Sequence, residues 1–119
     1  MFGIAENNYK LDWKNPQTIE ELDELMDDAS QPIIIFKHST RCPVSRMALK
    51  MFENDYNLEN VRLIFVEVVQ QRPLSNHIAE KWNIQHESPQ TLIQKTNGER
   101  ISFSHNQINV AKIAEFLQQ

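Results

Sequence analysis

Cys42 is the only cysteine among the 119 residues, and it stands between a strand-like run and a helix-like one, in Lys37-His38-Ser39-Thr40-Arg41-Cys42-Pro43-Val44-Ser45. A solitary cysteine is ordinarily a small buried hydrophobe. This one precedes Pro43, whose fixed φ suits the first position of a helix, so Cys42 becomes the N-cap. Serine, threonine, asparagine or aspartate would serve stability better there, so capping does not explain the choice. Chemistry does. A sulfur at this place faces the unpaired N–H groups of the first turn and the positive end of the helix dipole, both of which favour thiolate. The reading makes Cys42 a reactive cysteine, with the Arg41 charge beside it and the Ser45 hydroxyl donating back toward the sulfur. Thr40 and Pro43 shape the turn. With no second cysteine, any disulfide must join Cys42 to another molecule, and such cysteine usage suits a reducing cytoplasm.

The other residues with chemical potential have plainer readings. His38, His77, His86 and His105 show no metal-ligand spacing, and no metal is expected within one chain. His38 either tunes Cys42 or packs at the end of its strand. Lys37 reads as an ordinary surface charge. Glu20, Glu21, Asp23, Glu24, Asp27 and Asp28 form an acidic solvated face rather than an acid/base pair.

The elements that must position Cys42 follow from the apolar pattern. Thr18 and Glu21 make a capping-box pair, and Ile19, Leu22, Met26 and Ala29 mark the inner face of a helix ending near Ser30. Ile33-Ile34-Ile35-Phe36 reads as a central strand buried on both faces. Val44, Met47, Ala48, Met51 and Phe52 fall at helical spacing and predict the inner face of the Cys42 helix. Leu63-Ile64-Phe65-Val66 with Val68 and Val69 is a second buried strand, expected to complete a right-handed βαβ unit. Pro73 opens a third helix with Leu74, Ile78 and Trp82 on its core side. Ser88-Pro89 leads into the strand Thr91-Leu92-Ile93, Asn97-Gly98 predicts a hairpin to Ile101-Ser102-Phe103-Ser104, and Val110, Ile113, Ala114 and Leu117 line a last helix.

A βαβ half followed by a ββα half, with a cysteine opening the first crossover helix, is an α/β layout: the thioredoxin-like fold, with a central four-stranded mixed sheet flanked by helices. One domain over residues 1–119 is expected. Pro89 falls where that fold has a cis-proline loop facing the cysteine; a trans proline opening an edge strand is the other reading. The net charge of −4, with no basic cluster, argues against nucleic acid as a partner. No segment approaches the roughly 20 apolar residues of a membrane span, Met1–Asn8 has no leader pattern, and glycine at position 3 rather than 2 gives no myristoylation signal.

Phe36-Lys37-His38-Ser39-Thr40, Cys42-Pro43-Val44-Ser45 and Ser88-Pro89-Gln90 together resemble the monothiol bacilliredoxins of the Cys-Pro-x-Ser type, found in bacteria that use bacillithiol in place of glutathione. The resemblance covers essentially the whole chain. It implies that Cys42 attacks mixed disulfides between bacillithiol and protein thiols, that Ser88 and Pro89 belong to a substrate loop, and that bacillithiol is a co-substrate. It also implies a cytoplasmic setting and a role in oxidative stress. The partners it implies are S-bacillithiolated proteins and a second low-molecular-weight thiol or a disulfide reductase. Two further readings stand beside it: a glutaredoxin-like carrier of an iron–sulfur cluster between two subunits, and a thioredoxin-like binding module in which Cys42 is incidental.

Overall fold

A computed structural model describes residues 9–119; the expectations for Met1–Asn8 lie outside the described residues. The chain runs α1 (Ile19–Asp27), β1 (Ile33–His38), α2 (Pro43–Asp55), β2 (Arg62–Glu67), α3 (Arg72–Trp82), β3 (Gln90–Gln94), β4 (Arg100–Ser104), a 3-10 turn at His105–Gln107, and α4 (Val110–Gln118). The sheet order is β2-β1-β3-β4, with β1 parallel to β2 and both remaining pairs antiparallel. This is the expected α/β thioredoxin-like arrangement. Among the described residues no helix is long and apolar enough to cross a membrane.

Alternation along the strands divides the core into two layers. Ile33, Ile35, Ile64, Val66 and Leu92 face Leu22 and Met26 of α1 and Leu74, Ile78 and Trp82 of α3. Ile34, Phe36, Phe65 and Ile93 face Leu49 and Phe52 of α2 and Val110 and Ile113 of α4. β1 lies in the middle and is buried at all six positions, including Lys37 and His38. Lys37 is therefore not a surface charge. Its Nζ donates to the Ser75 carbonyl at 3.0 Å and to His86 Nδ1 at 3.2 Å, which is how a strand reaching that far into the core accommodates it.

Local signals placed most element ends. Thr18 caps α1 by accepting from the Glu21 N–H, but the Glu21 carboxylate reaches back to the Gln17 N–H rather than to Thr18 itself. α1 stops at Asp27, leaving Ala29 exposed beyond it. Gly98 has φ +95 in the β3–β4 turn, the left-handed conformation that glycine adopts without cost. One sheet contact has no signal in the apolar pattern. Lys14 bridges Ile64 in parallel, its N–H donating to the Leu63 carbonyl and its carbonyl accepting from Phe65, so the outer edge of β2 is covered.

α2 corrects the predicted inner face. Its buried residues are Ser45, Leu49, Phe52 and Glu53, whereas Val44, Met47 and Met51 are 52%, 61% and 56% exposed. The helix is rotated because two of its polar residues have buried partners. Ser45 meets His38 and Ser39, and Glu53 accepts from Trp13 Nε1 at 2.8 Å and from the Leu11 N–H.

Candidate active site

Cys42 occupies the N-cap of α2 with extended backbone (φ −102, ψ 118), and Pro43 follows at the first helical position. Its thiol makes no capping hydrogen bond. The Cys42 N–H donates to the Ser39 carbonyl at 3.2 Å, closing the turn, and the Cys42 carbonyl accepts from Arg46 as the first helical bond. The N–H groups of Val44 and Ser45 have no acceptor among the described residues, as is usual for the first turn of a helix. The side chain is partly exposed, as an attacking thiol requires.

Ser45 differs from its expected role. Its hydroxyl is fully buried, 2.6 Å from His38 Nδ1, and accepts from the Ser39 N–H at 3.0 Å; no hydrogen bond joins it to the sulfur. It therefore fastens the first turn of α2 to the end of β1. Arg41 is exposed and has no hydrogen-bond or ion-pair partner among the described residues. A second arginine does bind the loop: Arg46 Nη1 donates to the Thr40 carbonyl at 2.8 Å.

The Thr40 N–H is held in turn by Glu67, the last residue of β2, which no sequence motif singles out. Glu67 Oε2 accepts from Thr40 at 2.8 Å, and Oε1 accepts from the N–H groups of Val69 (2.8 Å) and Gln70 (3.3 Å). Burial alone would raise the pKa of this carboxyl, but the backbone donors outweigh it and hold the value below the ordinary 4.5. Its stabilising contribution is thus present above about pH 4.5 and is lost as pH falls through the lower folded value. A Glu67→Gln variant offers one acceptor oxygen for three donors and turns an NH2 group on the rest. It should unfold about 1–3 kcal/mol more easily at pH 7 in urea titrations. The difference should shrink at pH 3.

The register of β1 against β3, with Lys37 opposite Gln90, sets the end of β1 beside Ser88 and Pro89. The Ser88–Pro89 peptide is cis. Pro89 is buried, its carbonyl accepts from the His105 N–H at 2.9 Å, and the Gln90 side chain bonds both the Gln85 carbonyl and the Glu87 N–H. The Ser88 hydroxyl is buried without a partner among the described residues. Of the residues singled out from sequence, Thr40, Cys42, Pro43 and Ser45 thus meet in one turn, with the Ser88–Pro89 loop alongside. The exposed Val44, Met47 and Met51 join Pro43, His105 and Ile108 along an apolar groove of about 380 Å³ running away from Cys42.

Solved structures similar to this chain share its fold. A thioredoxin-fold protein assigned as an oxidoreductase is 29% identical, with a TM-score of 0.72, 88% of this chain covered and 92% of that one. Malassezia sympodialis thioredoxin is 16% identical with a TM-score of 0.64, covering 97% and 96%, and Fasciola hepatica thioredoxin is 20% identical with a TM-score of 0.60, covering 83% and 90%. The last two speak for the fold alone. The family described as monothiol bacilliredoxin BrxC matches residues 14–113, a span that includes Cys42 and the Ser88–Pro89 loop. With its thioredoxin-like fold and this family match the chain is a thiol redox protein, and it belongs to the monothiol bacilliredoxin family.

Proposed function

We propose that this protein removes bacillithiol from S-bacillithiolated proteins by monothiol exchange at Cys42, in a bacterial cytoplasm recovering from oxidative stress. The observation that carries the monothiol part is Ser45. It stands where a dithiol enzyme would hold its resolving cysteine, and its hydroxyl is buried on His38 and Ser39. Bacillithiol itself rests on the family. In the first step the Cys42 thiolate attacks the bacillithiol sulfur of the modified protein. The protein–bacillithiol disulfide breaks, a Cys42–bacillithiol disulfide forms, and the protein thiolate leaves and takes a proton from water. In the second step free bacillithiol, as thiolate, attacks the sulfur of the bound bacillithiol. Cys42 thiolate is released with bacillithiol disulfide as the oxidised product. A disulfide reductase in place of free bacillithiol would regenerate the same thiolate.

The helix end chiefly serves the second step. Stabilising a thiolate raises its population but lowers its intrinsic nucleophilicity, with a Brønsted slope of about 0.4–0.5, whereas a stabilised thiolate leaves faster. Arg41 contributes its charge beside the sulfur, and the Ser88–Pro89 loop and the apolar groove receive the protein side of the mixed disulfide.

Intact-mass spectrometry of the reduced protein mixed with a bacillithiol-modified model protein tests this directly. The expected result is the gain of one bacillithiol mass, located on Cys42, with reduction of the model protein and little transfer from a glutathione-modified control. Absence of an adduct in both mixtures would discard the enzymatic reading and leave a thioredoxin-like binding module.

A further inference from the structure

On the flank of α2 nearer β2, across the helix from the apolar groove, lies a second cavity of about 400 Å³. Its lining includes Tyr9, Lys10, His38, Arg46, Lys50 and Glu53. Three cationic side chains gather here in a chain whose net charge is −4. Lys10 Nζ spends one donor on Asn54 and Arg46 one on the Thr40 carbonyl, while Lys50 has no partner among the described residues. The single carboxylate is partly committed, since Glu53 Oε2 already accepts from Trp13 Nε1 and the Leu11 N–H.

His38 adds a ring donor to this lining. It is 2% exposed, yet it lines the cavity. The Ser45 oxygen accepts from the Ser39 N–H, and the acceptor within reach of its own proton is His38 Nδ1 at 2.6 Å. With Ser45 donating to Nδ1, the ring carries its proton on Nε2, for which the described residues offer no partner. Burial, the largest influence, pushes the His38 pKa down, so the ring offers a neutral N–H. An excess of donors calls for a ligand rich in acceptor oxygens, and the walls contributed by Tyr9 and Leu49 call for a carbon body behind them.

We propose that this cavity binds a small organic carboxylate, held by His38 Nε2–H, Arg46, Lys10 and Lys50. The carboxylate belongs either to a free organic acid or to the low-molecular-weight thiol; the chemistry of recognition is the same. Arg46 connects the cavity to the Cys42 turn through Thr40, so an occupant rests against the loop that carries the nucleophile.

The test is an NMR titration of the reduced full chain with succinate, S-methyl bacillithiol and inorganic phosphate, following the Trp13 indole N–H and the His38 ring. Blocking the thiol keeps the outcome independent of any exchange reaction. Saturable shifts at both groups with succinate or S-methyl bacillithiol, and weaker binding of phosphate, are expected. The carboxylate that saturates at the lower concentration identifies the source. A Lys10→Gln/Lys50→Gln variant, altered only at exposed positions, should bind roughly tenfold or more weakly, the loss expected from removing charged donors. The proposal is overturned by no shift with either carboxylate, by phosphate binding as tightly as they do, or by unchanged affinity in the double variant.

Discussion

Cys42→Ser is expected to lose all bacillithiol transfer while becoming more stable. The loss follows from chemistry, because a serine hydroxyl is not ionised near neutral pH and forms no disulfide. The gain follows from position. Cys42 sits at a helix N-cap with extended backbone, its sulfur makes no capping bond, and the Val44 and Ser45 N–H groups have no acceptor among the described residues. Serine is among the best residues for that geometry, and a better N-cap contributes about 0.5–2 kcal/mol. Intact-mass assays should show no adduct, and urea unfolding at pH 7 should shift to higher midpoint with unchanged slope. The pairing of outcomes matters, since an inactive variant that was also less stable would point to misfolding rather than to a missing nucleophile. Retained transfer would remove Cys42 from the mechanism altogether.

What sequence reading reached, and what it missed, divides along the range of the interactions involved. Caps and turns are decided by neighbours a few residues apart, so Thr18, Pro43 and Asn97-Gly98 announced their elements correctly, and Pro89 announced its loop. The strands announced themselves by their apolar runs, except that Val68 and Val69, read as part of the second strand, lie beyond the end of β2 at Glu67. The inner face of α2 did not, because two sets of residues at helical spacing interleave there. The more apolar set is exposed, while the buried set contains Ser45 and Glu53. What buries them are His38, Ser39, Trp13 and Leu11, supplied by other elements of the fold. Glu67 escaped notice for the same reason, its link to Thr40 spanning 27 residues. The exposed methionines that result make physical sense only beside Cys42. An apolar stripe left on the surface costs solubility, and under the proposed function it would receive the polypeptide side of the mixed disulfide.

Lys37 is the most consequential of these long-range cases, and it carries the second large prediction. Its amine is fully buried, its partners Ser75 and His86 lie 38 and 49 residues away, and desolvation lowers its pKa from 10.5 to about 8. The unfolded chain therefore keeps this proton up to about pH 10.5, while the folded chain releases it from about pH 8. Across that window the unfolded state binds more protons and stability rises with pH; below pH 8 the whole cost of the buried charge is present. The difference of 2.5 pH units corresponds to about 3 kcal/mol.

Lys37→Met removes that charge at similar volume. The Ser75 carbonyl lies within α3, and His86 Nδ1 keeps the Ser75 hydroxyl at 3.1 Å, so few groups are stranded. The variant should be more stable than the parent by about 1–3 kcal/mol at pH 7, with the gap narrowing toward pH 10 in urea titrations. Destabilisation at pH 7 would mean that the hydrogen bonds outweigh desolvation. The charge has a use that stability does not measure. Lys37 holds His86, two residues before Ser88, and Lys37 pairs with Gln90, whose side chain braces the same loop. The more stable variant should therefore exchange bacillithiol more slowly than the parent, because a loosened Ser88–Pro89 loop aligns the mixed disulfide less often. Equal rates would show that the loop is fixed by Gln90 and the Pro89–His105 bond alone.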